Sequence, residues 1–588
     1  MGESAGRVVG VFHRVHNGGR LTPADRRDRS EYFIDLAHAG GAADGELVAA
    51  EPLPARRYGP VRLRVVERLG APDASGAISL ISIASFDIPH VFAAGALAEA
   101  AAARPVDAAG RSDLRGLDLV TIDGSDARDF DDAVWAEPDG DPTNPGGWYL
   151  VVAIADVAHY VTPGSMLDRE ARERGNSVYF PDRVVPMLPE ALSNDLCSLR
   201  PGEDRACVAA HLWIDHDGRK KRHRFERAIM RSAARLTYEQ VQAARDGPDG
   251  LPIAHTKLEA LYGAFATLDR ARRERGALAL DLVEYRVVLD GKGAPVAVEP
   301  RQRLDSHKLI EEFMILANVA AAEELEARRR PCLYRVHDAP DPDRVDVLRQ
   351  ALFDIDVPGI GLAKGQVLRP ALFNRVLERV AGRPEAPVVN DLVLRAQAQA
   401  VYSPHNIGHF GLALRRYAHF TSPIRRYADL LVHRALLGEQ LPPEELEAIG
   451  KHVSATERQA AAAERAAIER YRTQLLSSRI GETFSGRING VQRFGLFVTL
   501  AESGADGLVP IASLPSDFYR FDPKKLRLNG RHTRRSFGLG DAIEVRLAEA
   551  DPIGGRLVFR LTDASAEDAR PSRARRHARP ARQLRRRR

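Results

Sequence analysis

Apolar residues alternate with polar ones at both ends of the chain, while much of the middle repeats with a helical period. Residues 8–12, 32–34 and 61–66 are short β-rich runs, punctuated by Gly18-Gly19 and Gly40-Gly41, which predicts a small β-barrel within residues 1–75. An Ala-rich stretch, 93–103, predicts a helix, followed by a linker to about residue 115. Strands are expected at 117–122, 133–135 and 149–154, the last two joined by a Pro/Gly/Asp loop. Helical spacing dominates 254–275 and 306–328, and 444–476 is one long Ala/Glu/Arg helix with no breaker. Short strands return at 485–488, 496–500, 543–547 and 557–560, predicting a second small barrel over 480–563. The pattern therefore describes a multidomain α+β protein, with a large mixed α/β middle flanked by two β-barrels.

Length agrees, since 588 residues exceed what one core holds. No apolar run is long enough to span a bilayer: the stretch beginning at Tyr149 ends at Asp156. The start, Met1-Gly2-Glu3-Ser4, lacks the basic flank and apolar core of a signal peptide, and Gly at position 6 breaks a myristoylation pattern. Three cysteines, Cys197, Cys207 and Cys332, fit neither a zinc site nor a disulfide framework. A cytoplasmic protein with reduced thiols is expected. Charge is unevenly placed. Residues 571–588 hold nine arginines and no acid, and removing those nine takes the net charge from +5 to −4. The segment 564–588 is expected to be a disordered Arg-rich tail that contacts a polyanion.

The candidate chemistry lies at Asp123-Gly124-Ser125-Asp126-Ala127-Arg128-Asp129-Phe130-Asp131-Asp132, five aspartates in ten residues between two predicted strands. The apolar strands pin these anions at the edge of a core, where they repel unless a cation neutralises them. Carboxylates are hard ligands that suit magnesium or manganese. Ser125 and Arg128 break the EF-hand pattern, so phosphoryl chemistry on an oxygen-only site is the better reading.

The string from Thr121 to Val134 resembles the catalytic signature of the ribonuclease II/ribonuclease R (RNB) superfamily. So do the strings from Arg174 to Pro181, Leu192 to Leu199, His307 to Glu312, His409 to Leu412 and Thr421 to Tyr427. They follow the family order and cover about residues 86–475, which the resemblance makes the catalytic domain. The resemblance implies a processive, hydrolytic 3′→5′ exoribonuclease releasing 5′-nucleoside monophosphates. It implies one or two magnesium ions, replaceable by manganese, with Asp123 and Asp132 as ligands and Asp129 completing the cluster. It makes Asp131 the carboxylate most needed for chemistry, with a second ion and the attacking water. It sets Arg425 on the scissile phosphate, Glu464 near the active site and Tyr179 as a base-stacking platform. Arg426 and Tyr427, in the same string as Arg425, are carried as RNA contacts. Where many relatives place a second aromatic clamp, Leu280 stands, and it can wedge but not stack. His307, His337, His409 and His419 show no ligand spacing and read as structural or as secondary RNA contacts.

The N-terminal barrel resembles a cold-shock-like OB-fold and the C-terminal one an OB-fold module repeated in a large ribosomal protein. Both imply RNA binding, with Phe494 and Phe497 as stackers and Arg493 as a phosphate partner. The chain starts close to its first strand, so it resembles a shortened ribonuclease R. The implied partner is single-stranded RNA, with the ribosome or RNA-decay factors beyond it, no membrane, and a monomeric state. The Arg-Arg-Tyr string and the tail favour activity on structured RNA. A catalytically silent RNA-binding regulator would keep the barrels but lack the acids, and all four aspartates and Arg425 are present. A nuclease acting on DNA would be distinguished by the residues that read the 2′-OH.

Overall fold

A computed structural model describes residues 7–25, 28–54, 59–247, 250–355, 357, 362–523 and 525–562. The Arg-rich tail, 564–588, lies outside the described residues.

Five strands, Val8–Val15, Gly18–Pro23, Tyr32–Asp35, Leu47–Pro52 and Val61–Gly70, close into the first barrel. Its core holds Phe12, Leu21, Ile34, Val48 and Leu63. Gly18-Gly19 stands at a strand boundary and begins the second strand. A Cβ at Gly19 would lie 1.9 Å from the Phe12 ring, so only glycine lets that ring fill the barrel. The helix Ala77–Ser85 follows, buried on nearly every side, and seals the barrel base with Ile81 and Ala84.

The large domain is built on a seven-stranded sheet. In spatial order its strands are Ala234–Thr237, Val120–Asp123, Asp132–Pro138, Trp148–Ala155, Asp204–Ile214, Lys220–Arg231 and Ser112–Asp113. Both edge pairs run parallel and the interior pairs antiparallel. One face packs Val134, Leu150, Val152 and Leu212 against the helices His255–Arg275 and Asp305–Ala327. The other packs Ala133, Val151, Ala153 and Met230 against the chain that includes Tyr427–Leu437 and the start of the helix Pro443–Ser477. Covered on both faces, these strands are apolar without alternation.

Three helices, Pro342–Asp354, Pro370–Val380 and Ala386–Ala396, form a separate core that also takes Leu539 of the second barrel. The long helix Pro443–Ser477 is the spine of the molecule. It packs against Ala77–Ser85, against the hairpin Glu284–Leu289/Pro295–Arg301, and against the second barrel. Within it, Gly450 lets the backbone approach Tyr402, whose carbonyl oxygen would stand 2.9 Å from an added Cβ.

The second barrel closes from Thr483–Gln492, Gly495–Leu500, Asp506–Pro510, Arg556–Leu561 and Ala542–Asp551. A three-stranded sheet, Tyr519–Asp522, Arg527–Gly530 and Ser536–Gly538, is inserted where the sequence shows only turns. The two barrels touch: Arg556 pairs with Asp25 at 2.7 Å. Among the described residues no helix is long and apolar enough to cross a membrane, and the three cysteines are buried and free.

Candidate active site

The strand Val120–Asp123 delivers Asp123 to one end of the large sheet, and the chain returns through a loop into Asp132–Pro138. Thr121, Ile122, Ala133 and Val134 are buried in the sheet, so Asp123 and Asp132 are held at the rim by the strands' own packing. Phe130 points into the core and fixes the phase of the loop, leaving Asp129 half-buried and Asp131 only 3% exposed. The loop is tied down twice. The Ser198 hydroxyl accepts from the Phe130 N–H at 3.0 Å and donates to the Arg128 carbonyl at 2.8 Å. On the other arm, the Arg235 guanidinium donates to the carbonyls of Gly124 at 2.7 Å and Ser125 at 3.0 Å.

Crowding and burial set the electrostatics. Burial raises the carboxyl pKa of Asp123, and the charges of Asp132 and Asp129 raise it further. Asp132 is pushed up by burial against the pull of Arg425 and Arg426. Asp131 is pushed well above the usual carboxylate range by burial, with Arg425 opposing. Buried carboxylate oxygens are left without a proton donor at Asp123 Oδ2 and Asp131 Oδ2. Such a cluster keeps its charge only with a cation nearby. Among the described residues no three His, Cys, Asp or Glu side chains converge tightly enough to enclose an ion by themselves. The donors of the cluster, Asp123, Asp129, Asp131 and Asp132, are all carboxylate oxygens, hard ligands of the kind a divalent cation takes.

The partner loop comes from far along the chain. Asp131 Oδ1 accepts from the Ile424 N–H at 2.8 Å, and Arg425 Nε stands 3.4 Å from Asp131 Oδ2. The Arg425 side chain is 44% exposed, so it faces the cleft with donors to spare. Tyr179 also reaches the cluster: its hydroxyl donates to Asp129 Oδ2 at 3.0 Å and its backbone N–H donates to Glu464 Oε1 at 2.7 Å. Glu464, raised by burial, thus reaches the site by anchoring the strand that carries Tyr179. Asp123, Asp129, Asp131, Asp132, Arg425, Tyr179 and Glu464 are brought together.

Other expected RNA contacts are placed elsewhere. Tyr427 is 2% exposed and donates its hydroxyl to Asp168 at 2.9 Å; it is a core residue. Arg426 is turned inward and holds Asp429 with two bonds of 2.8 Å, so its guanidinium is committed to a protein carboxylate instead of RNA. Leu280 lies in irregular chain, before the strand that starts at Glu284, and packs against the three-helix unit. The neighbouring N–H groups of Ala279 and Asp281 donate to Asn374 and Asn390 of those helices. Phe494 is exposed with Arg493 at a hairpin turn of the second barrel, and the half-buried Phe497 meets it edge-on at 6.0 Å.

Sequence reasoning missed Ser198, Arg235 and Asp429, whose roles lie in backbone contacts that residue type does not announce. It also missed Tyr238. Its phenol pKa is raised by burial and by the charges of Asp132 and Asp123, which places it beside the cluster, and its ring stacks on His307 at 4.1 Å. The register gives the signal: Tyr238 follows Thr237, which pairs with Asp123.

Residues 111–438 match the RNB domain, residues 21–93 a cold shock domain and residues 477–561 the S1 RNA binding domain. Ribonuclease R of Escherichia coli is 40% identical over 582 residues, 94% of this chain and 71% of that protein. Ribonuclease R of Aquifex aeolicus is 39% identical over 562 residues, 92% of this chain and 78% of the relative. Among solved structures, Mycoplasma genitalium RNase R in complex with ribose methylated single-stranded RNA superposes with a TM-score of 0.88 at 29% identity, over 96% of this chain and 90% of that one. Yeast Ssd1, described as a pseudonuclease, has a TM-score of 0.68 at 17% identity, over 90% of this chain and 68% of its own, a likeness of fold alone. With its cold-shock, RNB and S1 domains in this order, the chain belongs to the RNB family, in the ribonuclease R group.

Proposed function

We propose that this chain is a hydrolytic 3′→5′ exoribonuclease. It degrades single-stranded RNA processively to 5′-nucleoside monophosphates at a magnesium–carboxylate site. The observation that carries the reading is the junction of the aspartate loop with the loop at residues 422–425, where Asp131 takes the Ile424 N–H and faces Arg425. A fold alone does not imply an activity, whereas this set of groups does chemistry.

Asp123 and Asp132 would hold the metal, with Asp129 beside them and Asp131 positioned for a second ion and the attacking water. The metal, when bound, neutralises charge on the attacking and leaving oxygens of the phosphodiester. Arg425 grips the scissile phosphate and stabilises the charge that gathers on it as the bond breaks. Tyr179 offers its ring to a base near the 3′ end. Its hydroxyl bond to Asp129 ties the position of that base to the position of the carboxylates. Stacking is indifferent to base identity, which suits an enzyme that must accept every nucleotide in turn. The barrels, with Phe494 exposed on one, guide the strand inward. The Mycoplasma genitalium enzyme has been solved with single-stranded and with double-stranded RNA, which supports RNA, single- or double-stranded, as the polymer bound.

The test uses 5′-labelled single-stranded RNA and a DNA of the same sequence, with magnesium and then with EDTA, and Asp131→Asn alongside. Shortening of the RNA to a few-nucleotide end product, only with metal and the wild-type chain, is the expected result. RNA that is bound but intact under every condition would identify a silent RNA-binding protein. Equal loss of the DNA would remove the specificity for RNA.

A further inference from the structure

Arg425 and Tyr179 belong to segments far apart in sequence, yet both hang on one buried ion pair. Asp429, fully buried in the first turn of the helix Tyr427–Leu437, accepts from the Ser422 N–H at 2.8 Å and from Arg426 Nε and Nη2 at 2.8 Å each. These three bonds span the loop from Ser422 to Arg426 and set its curvature. Two of the three residues between are the functional ones: Ile424, whose N–H meets Asp131 at 2.8 Å, and Arg425, whose Nη2 donates to the Ser422 hydroxyl at 3.0 Å. The outer edge of the same loop is hydrogen-bonded to the segment that leads to Tyr179. The Ser177 N–H donates to the Arg425 carbonyl at 3.0 Å, and the Tyr427 N–H donates to the Gly175 carbonyl at 2.9 Å. Asn176 and Arg426 form a β-bridge between these bonds.

We propose that Asp429, through Arg426 and the Ser422 N–H, is the positioning residue of the active site: it sets the phosphate-gripping Arg425 and the base platform Tyr179 at one fixed spacing. This rests on the exoribonuclease reading and adds to it a residue that touches neither RNA nor metal. A buried ion pair is a poor device for stability alone, because desolvation consumes most of its attraction. Its value here is geometric. The carboxylate fixes the direction of two partners at once, and a planar guanidinium held by two bonds cannot rotate. The spacing it sets is the distance between a stacked base and the phosphate to be cut, the quantity on which a nuclease that steps along RNA depends.

The test compares Asp429→Asn, Arg426→Lys and Arg425→Ala in the full chain, with the double variant Asp429→Asn/Arg425→Ala. Arg426→Met/Asp429→Leu is added because it leaves no unpaired buried charge and keeps a folded sample available. Single-turnover rates at saturating RNA, RNA affinity in EDTA and melting temperature are measured for each. Asp429→Asn and Arg426→Met/Asp429→Leu are expected to lower the rate about 100-fold while RNA affinity in EDTA changes by less than about threefold. Added to Arg425→Ala, Asp429→Asn is expected to cost less than about a further threefold in rate at saturating RNA, because with the phosphate-gripping group gone the spacing from Tyr179 to it no longer matters. A purely structural role gives the other pattern, a lower melting temperature with losses that multiply. Multiplying losses, or Asp429→Asn or the paired Met/Leu variant cutting at the wild-type rate, would overturn the proposal. If Arg425→Ala cuts like the wild type, or the wild type does not cut, the exoribonuclease reading fails and this inference goes with it. A slow Arg425→Ala beside a normal Asp429→Asn sinks the inference alone.

Discussion

Asp156 offers a quantitative check on how the catalytic end of the sheet is held. It follows Ala155, whose N–H donates to the Asp131 carbonyl at 2.9 Å, and its own N–H donates to the Ala206 carbonyl at 3.1 Å. Its carboxylate is wholly buried between two arginines: Arg111 Nη2 at 2.7 Å, itself only 6% exposed, and Arg227 Nε at 2.8 Å. Asp156→Asn keeps the shape and removes the charge, which leaves Arg111 buried without a counter-ion. Breaking a buried pair from one side costs about 3–5 kcal/mol. For a cooperative unit the size of the RNB match, residues 111–438, that is a fall in melting temperature of roughly 4–7 °C. The pH dependence has a definite sign. Burial alone would raise the Asp156 pKa, but the arginines outweigh it and the folded value is lowered. Stabilisation is therefore complete above the unfolded value, about 3.9, and is lost as pH falls through the folded value. Calorimetry from pH 7 to pH 3 should show the wild type well above Asp156→Asn at neutral pH and the two converging in acid. A shift under about 1 °C at pH 7, or a gap that persists undiminished at the lowest pH, would refute the reasoning.

Tyr179→Ala should weaken binding of a short RNA in EDTA by about 1–3 kcal/mol, whereas Tyr179→Phe should keep the stacking and lose only about 1 kcal/mol with the bond to Asp129; equal affinities for the two variants in fluorescence titration would deny the ring its role. Phe494→Ala should cost about 1–3 kcal/mol with RNA long enough to reach the second barrel and nothing with a trinucleotide, as read by the same titration. Gly450→Ala should lower the melting temperature. Alanine gains about 1 kcal/mol of helix propensity, but its Cβ would stand 2.9 Å from a backbone carbonyl that cannot swing away, and the crowding costs about 1–3 kcal/mol.

Much of this organisation was legible in the sequence, and the parts that were not share physical causes. The barrel strands alternate because one face is wet, so 496–500 and 543–547 could be read directly. Asp204–Ile214 could not, because it is covered on both faces and its apolar run has no period. Ala77–Ser85 is rich in isoleucine and buried almost all round, so it lacks the polar stripe that marks a helix. The three helices between residues 342 and 396 begin at or beside prolines and pack mainly on one another; no sheet fixes their face. At the site, the aspartates announced themselves by density and Arg425 by its motif. Arg426 and Tyr427 follow it directly, yet one binds Asp429 and the other is buried against Asp168. Residue type says what a group can bind; the turn decides which way it points. Glu464 was accessible only through resemblance, since a 35-residue helix offers many glutamates and one faces Tyr179.

The bond between Asp131 and Ile424 closes a loop of 293 residues. A ribosome building this chain makes the aspartates early and the loop that completes them late. Contacts of such separation form only after the intervening chain has collapsed. A nascent chain that stops short of residue 424 thus holds the acids of the site without Arg425 or the Ile424 N–H. The nearest RNA to a newborn ribonuclease is its own message. An active site split across so long a stretch keeps that message out of reach until most of the polypeptide is finished.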